Sequence, residues 1–216
     1  MTKKKIVLII IVAILVLLIG GFIYFIRVDS NANLKDNSLN GQEKENVVNN
    51  ILKKDNPKIL VAYYSYTGNT KDMAESINSV VNGDLFEIKT DKKYSNAYAI
   101  MTLQAKAETF FKNRPNVTTK VDNMEEYDIV FVGYPIWWWT TPAIINSFLE
   151  EYDLSNKIVI PFCTSSDTEI ERTMTSIRYS AKNSAVLDGL RLQTNDSRNL
   201  NEINKWLNEL GVINNE

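Results

Sequence analysis

Three stretches concentrate the residue types that could do chemistry, and each lies where an apolar run ends. The first is Ser65-Tyr66-Thr67-Gly68-Asn69-Thr70. It follows the apolar run Ile59 to Tyr64 and precedes Met73, Ile77, Val80 and Val81 at helical spacing. A helix starting there offers unpaired N–H groups and the positive end of its dipole, which suits a phosphate. Gly68 permits close backbone approach, and the hydroxyls can donate to phosphate oxygens. No Gly-Lys-Ser/Thr follows, so the loop is not a Walker A, and its single glycine excludes a dinucleotide fingerprint.

The second stretch, Pro135-Ile136-Trp137-Trp138-Trp139-Thr140-Thr141-Pro142, continues the apolar run Tyr127 to Tyr134. A loop spreads successive side chains, so three adjacent indoles cannot share one direction. A flat heterocycle needs an apolar slot with a few donors, and indole faces supply stacking area. Trp137 or Trp138 is expected to border such a ring while another tryptophan packs inside. The third stretch, Thr164-Ser165-Ser166-Asp167, follows Lys157 to Cys163 and can give N–H groups and hydroxyls to a ring's polar edge. Tyr66 either flanks the phosphate or is exposed.

Composition removes several alternatives. The chain of 216 residues contains no histidine, which excludes histidine triads, histidine metal sites and imidazole acid–base chemistry. Its one cysteine, Cys163, permits no internal disulfide and reads as a small buried filler. Redox chemistry would therefore need a bound cofactor. No residue qualifies as a dedicated acid or base. Residues 1–56 carry an excess of three positive charges and the remainder an excess of five negative ones. An acidic domain argues against nucleic acid as a partner.

The elements that must position these loops alternate. Leu85-Phe86-Glu87-Ile88 is a short half-polar strand suited to a sheet edge. Ala97 to Lys112 has a helical pattern. Thr141 is expected as an N-cap with Pro142 at the first helical position, and Thr168-x-x-Glu171 as a capping box. Pro161 predicts a bulge or the last paired residue of its strand. Ser184 to Leu192 supplies a last strand, and Ile203, Trp206, Leu207 and Leu210 form the buried face of a final helix. Strand–helix alternation predicts an α/β fold with a doubly wound, parallel, five-stranded sheet in the order 2-1-3-4-5. The three loops follow strands 1, 3 and 4 and would meet at one crevice.

The amino end is different. Lys3, Lys4 and Lys5 precede an uncharged run, Ile6 to Ile26, whose length as a helix is about 30 Å, the thickness of a bilayer core. Residues 1–27 are expected to form a transmembrane signal-anchor. The lysines place the N-terminus in the cytoplasm and the domain outside the cell membrane. The rival is a signal peptide cleaved at Ser30-Asn31-Ala32, which would release a secreted domain. Residues 28–56, polar and asparagine-rich, read as a flexible linker with at most a helical turn around 46–54, before a domain over 57–216.

Residues 58–213 resemble the flavodoxin family. The likeness rests on Tyr63-Tyr64-Ser65-x-Thr67-Gly68-Asn69-Thr70, Gly133-Tyr134-Pro135-Ile136-Trp137-Trp138 and Pro161-Phe162-Cys163-Thr164-Ser165, with Asp188-Gly189-Leu190-Arg191-Leu192 and the last helix. The resemblance implies an FMN-binding fold with a redox role. It implies Ser65, Thr67, Gly68, Asn69 and Thr70 as phosphate contacts, and Pro135, Ile136, Trp137, Trp138, Thr164 and Ser165 as ring contacts, with Ser166 beside them. The expected function is membrane-tethered electron transfer, or reduction of a small acceptor such as a quinone, with protein or quinone redox partners. One departure stands out: the family's third loop usually continues Ser-Gly-Gly-Ser-Gly, but here it reads Ser165-Ser166-Asp167-Thr168-Glu169. Fewer glycines and two added carboxylates leave open a domain that has lost flavin and serves as an extracytoplasmic binding module.

Overall fold

The computed structural model describes residues 3–29 and 31–213. Helix α1 (Lys3–Arg27) and helix α2 (Gly41–Leu52) precede the domain. There follow β1 (Ile59–Tyr63), α3 (Asn69–Val81), β2 (Asp84–Glu87), α4 (Tyr98–Phe110), β3 (Ile129–Pro135), α5 (Ala143–Glu151), β4 (Ile158–Thr164), α6 (Glu171–Ser180), β5 (Ala185–Val186), β6 (Leu190–Leu192) and α7 (Leu200–Glu209). The strands form a parallel sheet in the order β2-β1-β3-β4-β5, with β6 also on β4. This is the doubly wound, flavodoxin-like order expected from the alternation of elements.

Both faces of the sheet are covered, which is why its central strands read as unbroken apolar runs. Leu60, Ala62, Val130 and Val132 face one core, shared with Met101, Ile144, Phe148 and Ile177. Val61, Phe131, Ile160 and Phe162 face the other, shared with Met73, Ile77, Ile203 and Trp206. The half-polar β2 occupies one edge, as its alternation predicts.

The fifth position is split. Val159 pairs with Val186 and Phe162 with Leu190, leaving Pro161 opposite the break between β5 and β6. Pro161 has no N–H to offer there, and it sits well inside β4 rather than at its last paired residue. Gly189 lies so close to it that an added Cβ would stand 2.6 Å from the Pro161 carbonyl oxygen.

Two helix starts differ from expectation. Helix α5 has Pro142, not Thr141, at its N-cap, and Thr141 is fully buried. The expected capping box at Thr168 does not form, because α6 begins at Glu171 after Ile170. The Thr168 N–H instead donates to Ser165 Oγ at 2.9 Å, folding the third loop back on itself.

The unfolded tether expected over 28–56 is not what its second half forms. Residues 41–52 make α2, with Ile51 buried and Val47, Val48 and Leu52 packed against the second core. Asparagines dominate the composition, yet four apolar residues fall on one face, and burial supplies the stability that propensity does not. The preceding strap is pinned as well: the Leu39 N–H donates to the Ser184 carbonyl and the Asn37 N–H to that of Arg178.

Helix α1 is, among the described residues, the one helix long and apolar enough to cross a membrane, and its hydropathic span is exposed. Its last turn touches the domain. Phe25 meets Phe110 edge-on at 5.1 Å between ring centroids. Just beyond, the Val28 carbonyl accepts a hydrogen bond from Lys106 Nζ at 2.7 Å.

Candidate functional site

Strand order reverses at β1, with β2 on one side and β3 on the other. Connections from the two strands then leave on opposite faces and open a crevice at their carboxyl ends, a rule for which flavodoxin-type sheets are a standing example. The register places Tyr63 beside Gly133 and Pro135 beside Thr164. All three chemistry-bearing stretches therefore meet at one edge of the sheet.

At the first loop, Gly68 caps α3 with φ of 99° and ψ of −25°, a conformation costly for any residue with a Cβ. Its N–H donates to Ser65 Oγ at 3.1 Å, which curls the loop around the helix end. Helix formation begins with the Asp72 N–H donating to the Gly68 carbonyl, so the N–H groups just before it have no intrahelical acceptor. Asn69 Nδ2 donates to Thr67 Oγ1 at 3.3 Å. Thr70 is buried, and its hydroxyl is hydrogen-bonded to Thr164 Oγ1 at 2.8 Å. That bond ties the first loop to the third, and the Thr70 backbone N–H stays at the helix end for a ligand.

The tryptophan loop is a two-residue hairpin. Trp137 and Thr140 exchange both backbone hydrogen bonds, and the two central residues, Trp138 and Trp139, have φ of 51° and 60°. Positive φ at both positions defines the turn type that normally selects Asn-Gly. Bulky side chains there are strained, and strain of this kind collects at functional sites. The three indoles do diverge. Trp137 is 5% exposed and ringed edge-on by Tyr64, Tyr66 and Tyr94 at 5.7–5.9 Å. Trp138 is half-buried and Trp139 is exposed. The Trp138 Nε1 donor is buried with no acceptor, and Thr141 Oγ1 is likewise unpaired.

Two adjoining cavities run along these loops. One of about 220 Å³ is lined by Tyr66, Thr67, Asn69, Trp137, Ser165 and Thr194, among others. The other, of about 300 Å³, is lined by Thr102, Trp138, Trp139, Asp167 and Thr168. They share Ile136, Ser165 and Ser166 as their common wall. Pro135 and Thr164 border the first cavity.

The electrostatics of the third loop differ from expectation. Arg191, on β6, grips Glu169 through both Nε and Nη2 at 2.8 Å and also donates to the Ser165 carbonyl. That pair offsets one of the two added carboxylates and raises the Arg191 pKa. Asp167 remains as the negative group at the cavity rim. Cys163 is buried at the strand end, and desolvation pushes its thiol well above the usual range, as a packing residue requires. Tyr94 is raised in the same way, first by burial and then by Glu108, which accepts its hydroxyl at 2.8 Å.

The tyrosine ring around Trp137 and the α4 residue Thr102 had no signal in local sequence. Arg191 alone offered one, as a cation on the strand beside an acidic loop.

The chemistry of these residues suits a phosphate-bearing ring compound. The α3 end supplies N–H groups without intrahelical acceptors, and Ile136 and Trp137 give the adjoining cavity an apolar side beside the hydroxyls of Ser165 and Ser166.

An open parallel sheet with its site at the switch point defines a flavodoxin-type α/β protein. A family model described as flavodoxin matches residues 58–210, and the chain belongs to that family. It is similar to a candidate flavoprotein from Bacteroides eggerthii DSM 20697, with 35% identity and a TM-score of 0.66 over 73% of this chain and 100% of that one. A candidate flavoprotein from Bacteroides uniformis ATCC 8492 shows 32% identity and a TM-score of 0.63, over 71% and 99% of the two chains. A flavoprotein from Lactobacillus acidophilus NCFM, solved in complex with FMN, shows 26% identity and a TM-score of 0.59, over 69% and 98%. No curated protein shows significant similarity to this chain.

Proposed function

We propose that this protein binds FMN in the switch-point crevice and transfers electrons, or reduces a small acceptor such as a quinone, at a membrane in which α1 anchors it. The observation that carries the reading is the meeting of the glycine-capped α3 end with the Trp137 and Ser165 loops around one cavity. Ser65, Thr67, Gly68, Asn69 and the Thr70 N–H would hold the phosphate, with Tyr66 beside them. Pro135, Ile136, Trp137 and Trp138 would wall the ring. Thr164, Ser165 and Ser166 would face its polar edge, where N–H and hydroxyl donors favour added negative charge. Bound FMN would supply the redox chemistry, and the chain's part is binding, orientation and tuning.

The anchor reading draws support from contacts made by residues 25–31. Cleavage after Ala32 would strip the buried Lys106 ammonium of its carbonyl and remove Asn31, whose Nδ2 donates to Thr140 Oγ1 at 3.0 Å. Ser30 of the candidate cleavage site lies outside the described residues. Retention of α1 puts the domain on the outer side of the cell membrane by the lysine rule.

Titrating the purified protein with FMN while following flavin fluorescence tests the central claim. Saturable quenching is the expected result. A colourless protein that leaves FMN fluorescence unchanged would instead support a binding module without flavin. The inward-turned Thr70 hydroxyl and the small first cavity favour that second reading.

A further inference from the structure

Helix α4 breaks the rule that an exposed helix keeps a polar outer face. Its two charged residues, Lys106 and Glu108, are both buried, so its outward stripe carries no charge. That stripe is Ile100, Leu103, Ala107 and Phe110 at spacings of three, four and three, continued by Phe111. Ile100 is 54% and Phe111 66% exposed.

The stripe continues the hydrophobic span. Phe25, in the last turn of α1, meets Phe110, and Phe110 meets Phe111 at 5.0 Å. Lys106, on the same helix, holds the Val28 carbonyl just past the end of α1. A second contact lies at the tryptophan turn, where Asn31 is bonded to Thr140. The larger cavity sits between these two attachments. Thr102, one helical turn or about 6 Å before Lys106, lines it on one side, and Trp139, next to Thr140, lines it on the other.

We propose that the outer face of α4 seats in the interfacial layer of the bilayer that α1 spans, bringing the mouth of the Trp138–Trp139 cavity to the lipid surface. The occupant of this face is lipid, because Phe25, in the last turn of the apolar span, packs on Phe110 and so places the stripe at the end of the segment that would cross the bilayer. The inference rests on α1 being a retained membrane helix, and it does not require flavin. With flavin bound, the cavity would be served by flat-ringed compounds dissolved in the membrane.

The test uses the full chain in lipid nanodiscs. Cys163 is buried and its thiol is raised by desolvation, so an introduced cysteine takes the label alone. Ile100→Cys and Phe111→Cys are labelled with an environment-sensitive fluorophore, with Ala107→Cys in reserve should either fail to fold. Lys205→Cys, on α7 beyond the opposite face of the sheet, is the reference. Lipids carrying a quencher high on the acyl chain should quench positions 100 and 111 at least about twofold more than 205, as for groups seated 5–10 Å into the headgroup boundary. Equal quenching at all three positions would overturn the proposal. FMN titration of the same preparations reads the flavin site separately, so a failure of one claim leaves the other visible.

Discussion

Trp138 and Trp139 occupy the two central positions of a tight hairpin where left-handed backbone is needed, and the edge contact between their rings does not relieve that backbone. Strain of roughly 1–3 kcal/mol per residue persists only where something else requires it. The double substitution Trp138→Asn with Trp139→Gly supplies the residues this turn prefers. It should raise unfolding stability by about 1–2 kcal/mol while weakening FMN binding by tenfold or more, read by denaturant melts and flavin fluorescence. Gly68 makes the opposite case. An added Cβ there meets no atom within 4 Å, but φ stays at 99°, so Gly68→Ala tests backbone strain alone. It should cost about 1–2 kcal/mol and reduce FMN affinity through distortion of the α3 end.

At the scale of elements, α2 separates a docked helix from a loose tether. Ile51→Ala should destabilise the domain by about 2–4 kcal/mol if the side chain is buried as observed, whereas an unfolded linker would show no change in a urea melt. A second joint lies between α4, α5 and α6, where Arg114 holds Glu150 through two hydrogen bonds of 2.7 and 2.9 Å and Ser180 adds a third. Burial alone would raise the Glu150 pKa, but Arg114 and Ser180 outweigh it and the net shift is downward. A carboxylate depressed in the fold stabilises it above its unfolded pKa, and that stability is lost as pH falls through the folded value. Arg114→Met should therefore cost about 1 kcal/mol near neutral pH, a gap that closes under acid below the ordinary glutamate range. Sheet order, the edge strand and the meeting of three loops were legible in the sequence because periodicity and strand–loop–helix spacing are local signals. The docking of α2, the failed capping box at Thr168 and the burial of the Thr70 hydroxyl were not. The first and last depend on partners far along the chain, such as Thr164 for Thr70, and the second on the Thr168 N–H turning back to Ser165 Oγ instead of opening a helix.

For the molecule as a whole, charge and hydropathy divide the chain into a basic, apolar start and an acidic domain. The acidic domain gains nothing by charge at an anionic headgroup surface, so in the proposed arrangement its seating would come from α1 and the uncharged stripe on α4. Orientation then follows from the lysines before the span, which outnumber the one cation at its far end, Arg27. Replacing Lys3, Lys4 and Lys5 with glutamate removes that bias while leaving every contact of residues 25–31 in place. In cells carrying a reporter fused to the C-terminus, the native chain should score as external, and the triple variant should shift a large share of molecules to the cytoplasmic signal. A native chain that scores as cytoplasmic would place the flavin crevice beside the cell's own FMN supply and reverse the side from which electrons arrive.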